Sequence, residues 1–190
     1  METVLVVPGL QGSGPAHWQT WMQAQVAGAE RVEQTDWQVP DLAVWSAAVR
    51  AALVRQPGPV WVVAHSFGCL ATAAVLAEFR PLVAGVMLVA PADPYKFGVM
   101  EALPARPFGV PAVVVASTND PWIRMMRAVW LADRWGCRLL DIGAQGHINV
   151  ESGHGPWPEG LAIFEALRAS AACYPLGAVE PLDAAQTLLT

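Results

Sequence analysis

A serine, a carboxylate and an imidazole follow one another along this chain, each placed just after a run that reads as a strand. Ala64-His65-Ser66-Phe67-Gly68 joins a Val-rich run to an Ala-rich one. Small residues around a Ser are what a tight strand-to-helix turn demands, because two backbones pass close together there and the hydroxyl is left projecting above a sheet. Ala64 stands where Gly is more usual and keeps the position small. A serine hydroxyl is a weak nucleophile at neutral pH and needs a base, commonly His, whose tautomer a carboxylate fixes. Ser117-Thr118-Asn119-Asp120 follows the apolar run 112–116, and Gly143-Ala144-Gln145-Gly146-His147 follows 138–142. Ser66, Asp120 and His147 are therefore the expected nucleophile, acid and base, in the chain order Ser, acid, His that such a turn requires.

Other residues compete for these roles. His154 lies in the same last loop as His147, and Asp93 follows the run 84–90, from which a carboxylate could reach the same imidazole. His65 precedes the nucleophile and is expected to point away from its hydroxyl in a structural role. Asp133 and Asp141 fall inside an expected helix and strand, where a solvated surface carboxylate is the simpler reading. Cys69, three residues after Ser66, reads as buried packing.

Acyl transfer also places negative charge on a carbonyl oxygen, and fixed backbone N–H groups aimed at that oxygen stabilise it. Phe67, next after the nucleophile and at the head of a helix, is one expected donor. The other is expected in Pro8-Gly9-Leu10-Gln11-Gly12-Ser13-Gly14, where Leu10 is preferred and Gln11 is the alternative. The same loop lacks the Lys-Ser/Thr ending of a phosphate-binding loop and the full G-x-G-x-x-G, which argues against nucleotide binding. His17, Trp18 and Trp122 fall at or beside strand-end loops and are expected to line an apolar substrate pocket, and Trp157 has a similar place; capping or packing is the alternative for His17, and packing for the three tryptophans.

The elements that must hold these residues alternate along the chain. Continuously apolar runs at 4–7, 60–64, 84–90 and 112–116 predict strands covered on both faces, and 31–34 and 138–142 predict weaker ones. Between them, helices are expected over 16–27, 42–55 behind Asp41, 67–79, 121–135 before Gly136, and 158–169. This order predicts an α/β fold in one domain: a mostly parallel sheet of about six strands with helices on both faces. Sites in such sheets lie beyond the carboxyl ends of the strands. Residues 91–111, with prolines at 91, 94, 104, 107 and 111, read as a rigid irregular excursion too short for a large lid. Residues 1–170 form the expected domain, and 171–190, without Lys or Arg, a loosely attached tail.

Composition narrows the function classes. The chain has 190 residues, 54% apolar and 14% charged, the latter well below the roughly 25% of an average soluble domain. That composition excludes disorder for most of its length. Eleven Lys and Arg against sixteen Asp and Glu give a net charge of −5, and no basic stripe exists, so nucleic acid is not an expected partner. Three cysteines, at 69, 137 and 173, match neither a disulfide framework nor a zinc spacing, so no metal is expected and a reducing compartment is. The start Met1-Glu2-Thr3 has no basic lead, and the longest apolar run, 83–90, is too short to cross a membrane. A cytoplasmic protein without membrane attachment is expected.

Pro8-Gly9 with His17-Trp18, His65-Ser66-Phe67-Gly68, Ala90-Pro91-Ala92-Asp93, Asn119-Asp120-Pro121 and Gly146-His147-Ile148-Asn149 through Gly153 give the chain a resemblance to a family. Over about residues 1–170 it resembles the small serine α/β-hydrolases that include the retinoblastoma-binding serine hydrolase and bacterial YdeN-type proteins. The resemblance implies a compact hydrolase core, a Ser66-Asp120-His147 triad and carboxylesterase-like activity. The Leu-x-Cys-x-Glu motif that would imply retinoblastoma-type partner binding does not occur in this chain. The expectation is thus a cofactor-independent serine hydrolase of small esters acting through an acyl-enzyme. An interaction module on a hydrolase scaffold, or acyl transfer to another acceptor by a transferase or thioesterase, are the alternatives; oligomeric state is left open.

Overall fold

Runs of valine that are apolar at every position become strands whose two faces are both covered. The computed structural model describes residues 2–172. Along the chain these are β1 (Thr3–Val7), α1 (Trp18–Gln25), β2 (Ala29–Arg31), α2 (Leu42–Val54), β3 (Val60–His65), α3 (Phe67–Leu76), β4 (Val83–Val89), β5 (Ala112–Ala116), α4 (Met125–Trp135), β6 (Arg138–Asp141) and α5 (Pro158–Ala172). The strands form one parallel sheet in the order β2-β1-β3-β4-β5-β6.

Every residue of β3 and β4 is buried. Alternation along β3 divides the core in two. Val60, Val62 and Ala64 join Trp45, Leu70, Leu131 and Trp135 under α2, α3 and α4. Trp61 and Val63 join Trp18, Met22 and Phe164 under α1 and α5. Each fully buried Val or Leu contributes about 1.5–3 kcal/mol, so the central strands are the anchored part of the molecule.

Strand order dictates where a site can form. The chain leaves β1 toward β2 on one side and returns to β3 on the other, so the loops after β1 and β3 diverge and leave a crevice at the carboxyl end of the sheet. The loop 8–14 and the turn at Ser66 stand there.

Three local differences from the sequence expectation have physical causes. β2 occupies Ala29–Arg31 rather than 31–34, because its register is set by pairing with Val4, Leu5 and Val6 of β1. α1 starts at Trp18 because His17 is its N-cap, the ring Nδ1 accepting the Gln19 N–H. α4 starts at Met125, not at 121, because Asp120 Oδ1 accepts the Trp122 N–H at 2.8 Å and turns the chain before a helix can form. α2, by contrast, begins behind Asp41 as expected, with Oδ1 accepting from Ala43 and Val44, a cap worth about 1 kcal/mol. Helix α5 runs to Ala172; the rest of the expected tail lies outside the described residues. No helix among the described residues is long and apolar enough to cross a membrane.

Candidate active site

Ser66 ends β3 and precedes α3 with φ 51° and ψ −121°, a strained conformation that a non-glycine residue adopts only when its surroundings impose it. Missing side chains make the turn possible. A Cβ on Gly68 would collide with the carbonyl oxygens of Pro8 and Val7, the latter at 2.7 Å, and one on Gly9 would lie 2.7 Å from the Ser66 Cβ. The small-residue pattern thus reflects α3 and the loop after β1 pressing on the same turn.

His147 lies beyond β6 and Asp120 beyond β5. Ser66 Oγ is 2.8 Å from His147 Nε2, and His147 Nδ1 is 2.9 and 3.0 Å from Asp120 Oδ2 and Oδ1. An Nδ1–H donating to the carboxylate leaves Nε2 as the acceptor of the Ser66 hydroxyl proton. The Asp120 side chain is completely buried, so its interaction with the imidazole is little screened. The structure therefore brings the three expected residues together.

It does not bring their competitors there. Asp93 Oδ1 accepts the Tyr95 N–H and lies 3.8 Å from Arg127 Nε. His154 meets Ser152 Oγ at 3.3 Å and the edge of Trp157. His65 Nε2–H donates to the His147 carbonyl at 3.0 Å, so it holds the backbone of the neighbouring imidazole. Burial and the nearby His147 and His17 rings push the His65 pKa well below the ordinary imidazole value. Cys69 is buried, and burial likewise raises its thiol pKa well above the usual range.

Of the two candidates for the second backbone donor, Gln11 is already engaged: its N–H donates to the Trp37 carbonyl at 2.8 Å. The N–H groups of Leu10 and Phe67 have no acceptor among the described residues. Leu10 lines the cleft above Ser66, and Phe67 opens α3, whose N-terminal dipole favours an anion.

The cleft is about 370 Å³, bounded by Leu10, Gln11, His17, Phe97, Trp122 and Val150 around Ser66 and His147. His17 and Trp122 line this cleft. Trp18 does not. Its ring is fully buried against Trp157, and its Nε1–H donates to the Ile148 carbonyl at 2.8 Å. The large ring faces the core because α1 packs that side on the sheet, and it braces the loop that carries His147. Ile148 itself holds φ 49° with its side chain fully buried.

Two supports have no signature in the sequence. Buried Gln19 donates to the carbonyls of Val7 and Val63 and accepts from Ser13 Oγ at 2.6 Å, tying the 8–14 loop to β1 and β3. Asn119 Oδ1 accepts from Gly146 N–H and Ser117 Oγ–H, while Ser117 Oγ accepts from Gln145 N–H. Only the juxtaposition of two distant loops shows what these polar side chains do.

Residues 4–166 match the family model for serine hydrolases. The chain belongs to that family. A structure from Pectobacterium atrosepticum described as a YdeN-like hydrolase is 38% identical, covering 90% of this chain and 92% of its own, with a TM-score of 0.85. The ydeN gene product of B. subtilis is 19% identical over 89% of this chain and 100% of its own, TM-score 0.72. Est1E from Butyrivibrio proteoclasticus, solved with ferulic acid bound, is 14% identical over 90% of this chain and 88% of its own, TM-score 0.66. The last two share the fold with this serine hydrolase. No curated protein matches the chain.

Proposed function

We propose that this serine hydrolase cleaves small carboxylic esters through an acyl-enzyme on Ser66. The observation that carries the reading is the 2.8 Å approach of Ser66 Oγ to His147 Nε2, with Asp120 on the far side of the ring. In the first half-reaction Ser66 Oγ bonds to the ester carbonyl carbon as its proton passes to His147 Nε2. The leaving alkoxide then departs with that proton when the carbon–oxygen bond breaks. Water, deprotonated by the same imidazole, attacks the acyl carbon and returns Ser66 to its hydroxyl form. Asp120 orients the ring and stabilises its charged form, and the N–H groups of Leu10 and Phe67 receive the negative oxygen.

A cleft of about 370 Å³ favours short acyl and alcohol groups over long lipids. Cys69 and Cys137 are free thiols, which suits a cytoplasmic setting.

A panel of p-nitrophenyl esters of increasing chain length, run beside fluorophosphonate labelling, tests the reading. Wild type should be labelled and should turn over the short esters, and Ser66→Ala should lose labelling and at least about 10³-fold in kcat/KM. Labelling or turnover that survives Ser66→Ala would remove the basis for it.

A further inference from the structure

His17 presents one ring nitrogen to its own helix and the other to the cleft. Nδ1 accepts the Gln19 N–H at 3.1 Å. A nitrogen that accepts carries no proton, so the single proton of the neutral ring is on Nε2. That Nε2 has no partner among the described residues, although the residue as a whole is only 5% exposed and lines the cleft beside Ser66. It is not among the sealed polar atoms that lack partners, so it is reached from the cleft. An N–H held in a largely dry wall without an acceptor is ready to pair with a ligand.

His147 must protonate the leaving group, so the alcohol portion of an ester lies on the His147 side, where Trp122 stands 6.1 Å from the imidazole. The His17 and His147 rings both lie beside His65, with ring centroids 5.1 and 4.9 Å from it. An ester acylating Ser66 has two arms, and the cleft offers Trp122 beside the imidazole for one and His17 with the 10–14 loop for the other. Charge narrows the class further. Glu151 is a carboxylate on the cleft lining and, among the described residues, no Lys or Arg lines it, so an anionic acyl group is disfavoured.

We propose that His17 Nε2–H is a specificity-determining donor to an oxygen on the acyl chain, so that the cleft selects short, uncharged acyl groups bearing an ether, hydroxyl or keto oxygen. This rests on the ester-hydrolase reading above. Burial and the nearby Arg31 lower the His17 pKa to about 4, which keeps the donor uncharged across the neutral range.

The two nitrogens can be separated by substitution. His17→Asn places an amide oxygen near Nδ1, keeping the helix cap and removing the distal donor; His17→Gln places an amide N–H near Nε2 and loses the cap. The probes are p-nitrophenyl methoxyacetate and p-nitrophenyl butyrate, whose acyl chains differ by one oxygen in place of a methylene. Their intrinsic reactivities differ, but that difference cancels when the ratio of kcat/KM values is compared between enzymes. The methoxyacetate-to-butyrate ratio should fall about 5–10-fold in His17→Asn, the worth of one hydrogen bond, and remain near wild type in His17→Gln. An unchanged ratio in His17→Asn, or an equal fall in both variants, overturns the proposal. Should His17→Asn fail to fold, wild type is inhibited with methoxyacetamide and butyramide: the former should bind about 5–10-fold more tightly, and equal inhibition constants overturn the proposal. A wild type that cleaves neither ester and resists fluorophosphonate removes the ester-hydrolase reading and this one together. Cleavage of both with an indifferent His17→Asn removes this one alone.

Discussion

Asn119 Oδ1 accepts the Gly146 N–H at 2.6 Å, one residue before Asp120 on one side and one residue before His147 on the other. The loops carrying Asp120 and His147 are thereby stapled next to the two side chains that meet. Ser117 Oγ with Gln145 N–H at 2.9 Å and Thr118 N–H with the Gly143 carbonyl at 2.9 Å complete the staple. Asn119→Ala should therefore lower kcat about 10-fold or more while changing KM little, since substrate contacts stay in place and only the alignment of proton transfer is loosened. Steady-state kinetics beside a thermal melt check this; an unaltered kcat would show that the loops hold each other without Asn119.

The two candidate carboxylates give opposite expectations. Asp120→Asn removes the charge facing Nδ1 and should cost about 10³–10⁴-fold in kcat/KM. Asp93→Asn disturbs only the Tyr95 N–H and the 3.8 Å approach of Arg127, so kcat/KM should stay within about threefold. Equal losses in the two variants would mean that the acid has been misassigned.

Gly68→Ala should be tolerated poorly. Its Cβ would strike the carbonyl oxygens of Pro8 and Val7, and backbone cannot yield as a flexible side chain can. A loss of about 1–3 kcal/mol is expected from overpacking of this kind, read as a lower midpoint in urea unfolding. A variant as stable as wild type would show that α3 and the loop after β1 can separate.

Acidity should weaken the fold. His17 is held near pKa 4 against 6.5 for an ordinary imidazole, chiefly by burial, and burial lowers His65 in the same direction. Between these values the unfolded chain binds more protons than the folded one, so stability is full above about pH 6.5 and falls as pH drops toward 4. At about 1.4 kcal/mol per pH unit, His17 alone accounts for about 3 kcal/mol. Urea unfolding from pH 7.5 to 4.5 should show this decline in wild type and a shallower one in His17→Asn; parallel curves would assign the acid sensitivity to other groups.

Much of this arrangement is readable without coordinates because it is local. Ser66 is betrayed by its small neighbours, and the positions of Asp120 and His147 follow from where strand-like runs end. Asn119 and Gln19 are not readable in this way, since their partners come from segments far away in the chain. Trp18 is misread for a related reason: a residue beside a strand-end loop can face the cleft or the core, and only the packing of α1 decides which. The start of α4 is misplaced because one Asp120 oxygen both faces the imidazole and turns the chain at Trp122.

The carbonyl that Trp18 grips belongs to Ile148, a β-branched residue in a left-handed conformation whose side chain is sunk in the α1–α5 layer. Orientation of the neighbouring imidazole is consequently inherited from hydrophobic packing on one side of the sheet. Thinning that layer, even by truncating a methyl group distant from Ser66, would erode turnover before circular dichroism registered any loss of helix. In this molecule the quality of the interior and the aim of the His147 ring are one property.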